Sequence, residues 1–245
     1  MLFKMNSDLN TFKQIKEKLV AHYGPDEILV ILAYGTRLFN KNLADHYSDY
    51  DITVVFKDYP DKALPQLLAL INITVLFWPD IEKNGVKNFR LYNHGEFYIA
   101  VLAEAIELYG SNPFKELVKE IPKGNLLSSL KEQIALHCAK LASIILEQYS
   151  DQKTRNIKKY SFRIAQNFYF LLKQKIGYRQ FMNTSYENWL NIFEKNKNFP
   201  EYFLKYLKSL LNNVENLSVR VILRLIHEIK ADAFKIYAES RSSHF

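Results

Sequence analysis

The sequence predicts an α+β protein in which a small domain with a mixed sheet precedes an all-α helical bundle. Short apolar runs and helical periods alternate before residue 122, only helical periods follow it, and Pro122-Lys123-Gly124 separates the two patterns. The predicted domains are therefore 1–122 and 123–245. A chain of 245 residues is long enough for both.

The first domain is predicted to combine three or four strands with short helices. Apolar residues at helical spacing follow Ser7 or Asp8, which are the candidate N-caps. Continuous apolar or β-branched runs predict buried strands, and the segment before Gly110 predicts a helix that leads into a short strand. The predicted helices are 8–22, 61–70 and the start of 95–110, and the predicted strands are 27–34, 51–56, 71–78 and the end of 95–110.

The second domain is predicted to be a bundle of antiparallel helices with short connections. Thr184 and Glu187 have the spacing of a capping box, Pro200 stands at the start of a helix, and Gly177 follows the end of one. Large aromatic residues at helical spacing, such as Phe168, Tyr169, Phe170 and Trp189, indicate core packing. The predicted helices are 128–149, 154–176, 184–195, 200–211 and 218–238.

Composition favours a cytoplasmic globular protein. No apolar run has the length of a membrane span, and the first residues lack the pattern of a secretory signal. The single cysteine, Cys138, excludes an internal disulfide framework and lies in a helical apolar pattern, which is typical of a small buried residue. The net charge of +7 is compatible with an anionic partner but selects none.

Two carboxylates stand one residue apart at the start of the second predicted strand. Alternate residues of a strand share a face, so Asp49 and Asp51 are expected to project together while Ile52 and Val54 pack on the other side. Carboxylates at this spacing repel each other unless a cation lies between them. Mg²⁺ is the natural candidate, because it prefers oxygen ligands and shares them with phosphate groups. Taken alone, the segment could also be a polar strand entrance.

A glycine turn, Gly35-Thr36-Arg37, ends the first predicted strand. Glycine allows a ligand to approach the backbone, and amides at the start of a helix point toward anions. Thr36 offers a hydroxyl group and Arg37 a permanent positive charge to a phosphate. We therefore expect a triphosphate between this turn and a metal ion held by the two aspartates.

The order of these parts resembles the signature of the DNA polymerase β-type nucleotidyltransferase superfamily, in which a strand, Gly-Ser or Gly-Gly, a spacer and Asp-x-Asp follow one another. Here the parts are Gly35-Thr36, the spacer 37–48 and Asp49-Tyr50-Asp51-Ile52. A sheet domain followed by a helical bundle is also similar to the bacterial branch that contains the aminoglycoside adenylyltransferases of the kanamycin type.

The resemblance implies a Mg²⁺-dependent nucleotidyltransferase that moves a nucleoside monophosphate, AMP from ATP first of all, to a hydroxyl group of a small molecule or protein. Asp49 and Asp51 would be catalytic and metal-binding, and Gly35, Thr36, Arg37 and Ser48 would bind the nucleotide. The implied partners are a nucleoside triphosphate and a hydroxyl-bearing acceptor that enters between the domains. A membrane or a nucleic acid is not implied, and a homodimer stays open.

One departure from the family concerns a third carboxylate, commonly on a later strand. In the predicted strand 71–78 the face with Asn72, Thr74 and Leu76 has no acidic residue, and the substitutes Asp80, Glu104 and Glu107 fit poorly. The alternative is therefore a non-catalytic nucleotide-binding module, or an antitoxin-like regulatory one.

Two features of the second domain carry weaker hypotheses. Arg220 and His227 have a spacing that resembles the Arg-to-His motif of HEPN-type ribonucleases, although packing is the preferred interpretation of the apolar segment around them. Arg155, Lys159 and Arg163 form a basic stripe that is interpreted as a solvated face.

Overall fold

In a computed structural model the chain divides into two compact units. The first is Met1–Ile121 with Tyr178–Ser185, and the second is Pro122–Gly177 with Tyr186–Phe245. The structure describes residues 2–39, 49–67, 70–84, 95–147, 152–175, 177, 184–212 and 218–242. The architecture is α+β, with a small mixed sheet before a helical region, as the sequence predicts.

The first unit begins with a long helix and continues with alternating strands and short helices. Its elements are α1 (Leu2–Tyr23), β1 (Ile28–Tyr34), α2 (Thr36–Phe39), β2 (Tyr50–Phe56), β3 (Ile71–Phe77), α3 (Trp78–Asn84), α4 (Gly95–Ala103), β4 (Ile106–Gly110) and α5 (Phe114–Leu117), followed by a 3₁₀ turn at Val118–Glu120.

The four strands form one sheet in the order β3-β2-β1-β4. β1 pairs antiparallel with both β2 and β4, whereas β2 and β3 are parallel. Tyr34 of β1 lies opposite Asp51 of β2, and Asp51 lies opposite Asn72 of β3. This register brings the end of β1 and the starts of β2 and β3 to the same edge of the sheet.

One face of the sheet packs against α1. Phe12, Ile15 and Leu19 of the helix are buried against Ile52 and Val54 of β2 in a single apolar cluster. The predicted packing of Ile52 and Val54 away from the aspartate side is therefore confirmed. Asp51 and Thr53, which alternate with them, project from the opposite face of β2.

Two predictions about the first unit are wrong. Helix α1 begins at Leu2, so Ser7 and Asp8 lie inside it and do not cap it; Asp8 is buried and bonded to other segments. Residues 61–67, predicted as the start of a helix, contain no helix. His22 Nε2 lies 3.0 Å from the Ala63 carbonyl oxygen and Lys62 Nζ donates to the His22 carbonyl oxygen, so side-chain contacts with the end of α1 hold this segment instead.

In the described residues of the second unit, all regular secondary structure is helical. Its helices are α6 (Lys123–Leu146), α7 (Lys153–Lys173), α8 (Tyr186–Glu194), α9 (Glu201–Asn212) and α10 (Val219–Ser242), which confirms the five predicted helices with small shifts of their ends. Helix α7 ends before Gly177 because Gln174 adopts a left-handed conformation with φ of 50°.

Aromatic side chains build the core of the second unit. Phe168, Phe193 and Phe203 are fully buried, and Trp189 stacks on Phe193 with ring centroids 5.2 Å apart. Of the aromatic residues predicted to pack in the core, Phe168, Phe170 and Trp189 are buried, and Tyr169 is half-buried.

None of the helices in the described residues combines the length and the apolar composition that a crossing of the bilayer requires.

Candidate active site

The turn after β1 lies directly against Asp51. Gly35 has a φ of +92°, a backbone conformation that residues with a side chain rarely adopt. A Cβ atom built on Gly35 would lie 2.1 Å from Asp51 Oδ2, far inside van der Waals contact. Glycine is therefore required here for two reasons, the backbone conformation and the proximity of the carboxylate. The glycine turn and the second aspartate of the predicted motif thus belong to one place in the fold.

Asn72 orients the Asp51 carboxylate from the neighbouring strand. Its side-chain Nδ2 donates a hydrogen bond of 3.0 Å to Asp51 Oδ1. A neutral amide donor fixes the direction of the carboxylate without neutralising its charge. Asn72 is exposed and Asp51 is half-buried, so the pair lies at the surface of the sheet edge.

Two of the three acidic residues considered as a third carboxylate, Asp80 and Glu107, contact other side chains. Asp80 accepts a hydrogen bond from the Tyr59 hydroxyl group. Glu107 forms an ion pair with Lys115, which lowers the pKa of its carboxyl group below the ordinary value. On the face of β3 that carries Asn72, the next residue is Thr74, as the strand alternation predicts.

A network of hydroxyl groups lies on the Asp51 face of the sheet. The Tyr98 hydroxyl of α4 is 2.7 Å from both Thr53 Oγ1 and the Tyr34 hydroxyl. Burial raises the pKa of both phenols, that of Tyr98 well above its ordinary value. Both phenols are therefore neutral and belong to a hydrogen-bond network that joins α4 to the sheet, and neither is suited to accept a proton from a substrate.

Three other residues were predicted to belong to the site: Asp49, Thr36 and Ser48. Asp49 is exposed and directly precedes β2, which begins at Tyr50, so the strand alternation used to place it beside Asp51 does not apply to it. Thr36 begins α2 immediately after Gly35. Ser48 lies outside the described residues. The nucleotide-binding roles of Thr36 and Ser48 stay predictions.

Arg37 is placed differently from the exposed phosphate ligand that the sequence suggested. Its side chain is buried, and Nη1 donates to Asp8 Oδ1 over 3.3 Å. The Arg37 guanidinium carbon also lies 4.5 Å from the centroid of the Tyr50 ring. Sequence reasoning missed Asp8 because a carboxylate near a predicted helix start was interpreted as a cap.

The donor set suits a magnesium ion shared with a substrate. Among the residues that the structure describes, no three His, Cys, Asp or Glu side chains form a group that could hold a metal ion. Mg²⁺ does not need such a group, because it commonly takes one or two carboxylates and completes its shell with phosphate oxygens and water. The carboxylate oxygens of Asp51 and Asp49 are ligands of this kind.

The second unit contains three further sets of residues that the sequence singled out. Arg220 and His227 are both exposed on α10, so the interpretation that they pack in the core is wrong, and RNA cleavage by them stays a hypothesis. Cys138 is fully buried, which confirms the prediction of a small buried residue, and burial raises the pKa of its thiol to about 12. The stripe residues Arg155, Lys159 and Arg163 are half-buried on α7, so they do not form the fully solvated face that was expected.

Comparison with known proteins gives a likeness of structure alone. No protein-family model and no curated protein matches the sequence. Among solved structures, the chain is similar to a nucleotidyltransferase-like protein from Exiguobacterium sibiricum 255-15, with a TM-score of 0.34 and 11% sequence identity over 93% of this chain and 77% of that one.

Proposed function

We propose that the first unit binds a nucleoside triphosphate at the edge of its sheet and transfers the nucleoside monophosphate to a hydroxyl group. The observation that carries this proposal is the contact between Gly35 and Asp51. A turn without a side chain, pressed against an oriented carboxylate, is an arrangement in which a ligand can approach the backbone beside a metal-binding group. The order of the motif along the chain supports the same reading.

Each residue has a defined task in this proposal. Asp51, oriented by Asn72, and the exposed Asp49 would hold Mg²⁺, and the turn at Gly35 and Thr36 would bind the distal phosphates. Bound Mg²⁺ would supply Lewis-acid stabilisation of the charge on the reacting phosphate. ATP is the expected donor, and the acceptor is a small molecule or a protein.

The bonds change as in an in-line displacement. The acceptor oxygen forms a bond to the α-phosphorus, the bond from this phosphorus to the bridging oxygen of the β-phosphate breaks, and pyrophosphate leaves with the electron pair. In this proposal the acceptor proton passes to water. The face of β3 beside Asp51 presents Asn72 and Thr74, which are not bases. The lack of a carboxylate there predicts slow turnover.

The experiment that tests the proposal follows label from the α-phosphate. The protein is incubated with Mg²⁺, ATP labelled at the α-phosphate and a panel of hydroxyl-bearing acceptors, and labelled product and pyrophosphate are measured. Asp51→Asn should abolish transfer while leaving the thermal midpoint within a few degrees of the original. Asp61→Asn, which changes an exposed aspartate of the same unit, is the matched control and should keep full activity. Normal transfer by Asp51→Asn would contradict the mechanism.

A non-catalytic nucleotide-binding module, such as an antitoxin-like regulator, is the second candidate, and Asn72 favours it. An amide beside Asp51 orients the carboxylate but cannot accept the proton of an attacking hydroxyl group. This candidate predicts that Mg²⁺ and ATP raise the thermal midpoint while no pyrophosphate appears with any acceptor. The same Asp51→Asn variant should then lose the nucleotide-dependent stabilisation.

A further inference from the structure

Arg37 is held between two residues from distant parts of the sequence. Its Nη1 donates to Asp8 Oδ1 in α1 over 3.3 Å, and its guanidinium carbon lies 4.5 Å from the ring centroid of Tyr50 in β2. Arg37 and Asp8 are 8% and 6% exposed, so the ion pair is shielded from water. A shielded charged pair of this kind holds its geometry more strongly than a surface pair.

Tyr50 contacts both members of the Arg37–Asp8 ion pair. Its hydroxyl group donates to the same Asp8 Oδ1 over 2.7 Å, and its ring and the Phe12 ring pack edge to face with centroids 5.1 Å apart. Asp8 therefore accepts hydrogen bonds from α2 and from β2 at a single oxygen atom. The cluster of Asp8, Arg37 and Tyr50 joins α1, α2 and β2 around the turn at Gly35.

We propose that Arg37 is a positioning residue that fixes the Gly35 turn against Asp51, rather than a ligand of phosphate. Arg37 follows the turn by two residues and Tyr50 precedes Asp51 by one, so the contact of Arg37 with Asp8 and Tyr50 sets the distance between the two halves of the candidate site. The effect of Arg37 on the transfer rate rests on the proposed function, whereas its effect on the rigidity of the Gly35 turn does not.

Single and double substitutions of Arg37 and Asp8 distinguish a positioning role from a general contribution to stability. Removing one partner of a buried ion pair leaves the other charge uncompensated, so Arg37→Met or Asp8→Leu alone should lower the thermal midpoint by roughly 10 °C. Replacing both with apolar residues of similar volume removes that penalty and returns most of the stability. The double variant, however, lacks the directional hydrogen bond between α2 and α1.

A backbone amide in the turn makes its rigidity measurable. The backbone N–H of Leu38 donates to the Gly35 carbonyl oxygen over 3.2 Å, so hydrogen exchange of the Leu38 amide measures how firmly the turn is held. The Gly24 amide, which donates to Val20 at the far end of α1 over 2.8 Å, is the control within the same unit. Both amides are followed in the full chain, in the original protein and in the variants.

The double variant is expected to regain its thermal midpoint. Hydrogen exchange of its Leu38 amide should be about tenfold faster or more, and exchange of its Gly24 amide should be unchanged. Its transfer rate at saturating ATP should fall by about 10²-fold, since a misplacement of about 1 Å has an effect of this size. Exchange of Leu38 at the original rate in that variant would overturn the proposal.

Two further outcomes are also decisive. If the double variant does not regain its thermal midpoint, Tyr50→Phe, which removes only the hydroxyl donor, takes its place: faster exchange at Leu38 supports positioning and an unchanged rate overturns it. If the original protein neither transfers label nor binds Mg²⁺ with ATP, the proposed function fails. The Leu38 exchange then decides the positioning role by itself.

Discussion

The Asp51 carboxylate occupies the space that a side chain at position 35 would need, and the Cβ atom of any such side chain would meet Asp51 Oδ2 at 2.1 Å. Because Tyr34 lies opposite Asp51 in the antiparallel register, this contact follows from the way β1 ends. The turn and the carboxylate cannot change independently.

Gly35→Ala should therefore damage the candidate site and the stability together. The backbone at φ of +92° is strained for alanine, and the new methyl group must displace Asp51. Gly24→Ala is the matched control, because Gly24 has a φ of +95° with nothing within 4 Å of the added Cβ. We expect Gly24→Ala to lose about 1–2 kcal/mol in the free energy of unfolding and Gly35→Ala about 2–4 kcal/mol.

Denaturant unfolding measures this difference, and titration with Mg²⁺ and ATP measures binding. Gly24→Ala should keep nucleotide binding and Gly35→Ala should lose it. Equal losses of stability in the two variants would show that the close contact with Asp51 has no energetic effect.

Asn72→Asp should make the stability of the chain depend on Mg²⁺. The substitution replaces the donor to Asp51 Oδ1 with a second carboxylate, and like charges at this exposed position should cost up to about 1 kcal/mol. A divalent cation removes the repulsion, so Mg²⁺ should raise the thermal midpoint more in Asn72→Asp than in the original protein. Asn72→Ala, which loses the hydrogen bond without adding charge, is the control. If Mg²⁺ does not change the thermal midpoint of Asn72→Asp, that result argues against a cation site at Asp51.

Most of the first unit could be predicted because its signals are local. β-branched and apolar runs end at a turn, as at Gly35 and Gly110, and their length distinguishes buried strands from helices. The segment 61–67 misled the prediction because its helical pattern competes with hydrogen bonds that Lys62 and Ala63 form with His22. His22 lies about forty residues earlier in the chain and is not visible in a local window.

The role of Arg37 could not be predicted for a similar reason. An arginine two residues after a glycine turn is typical of a phosphate ligand, and only the tertiary fold brings Asp8 and Tyr50 to its guanidinium group. Periodicity placed Asp8 near a helix start, and no local pattern distinguishes a cap from a carboxylate that pairs with a distant arginine.

Cys138 should make the stability fall at high pH. Burial raises the pKa of its thiol from 9.0 to about 12, so below pH 9 the thiol is protonated in both states and has no effect. Between pH 9 and 12 the unfolded chain loses this proton while the folded chain keeps it, and the free energy of unfolding decreases by about 1.4 kcal/mol per pH unit.

Urea unfolding of the original protein and of Cys138→Ala at pH 8 and pH 10.5 isolates this contribution from those of the tyrosines. The original protein should lose about 2 kcal/mol more than the variant between the two values. Parallel losses in both proteins would indicate that the thiol ionises normally in the folded chain.

Arg220 and His227 should tolerate replacement, because both side chains are exposed on α10. Changing both to alanine should alter the free energy of unfolding by less than about 0.5 kcal/mol, as is usual for surface positions. Ile229→Ala, on the same helix at 1% exposure, should instead lose about 2–5 kcal/mol. Denaturant unfolding of the two variants side by side makes the comparison. A loss of similar size in both would mean that Arg220 and His227 contribute to the packing of the second unit after all, as the apolar sequence around them first suggested.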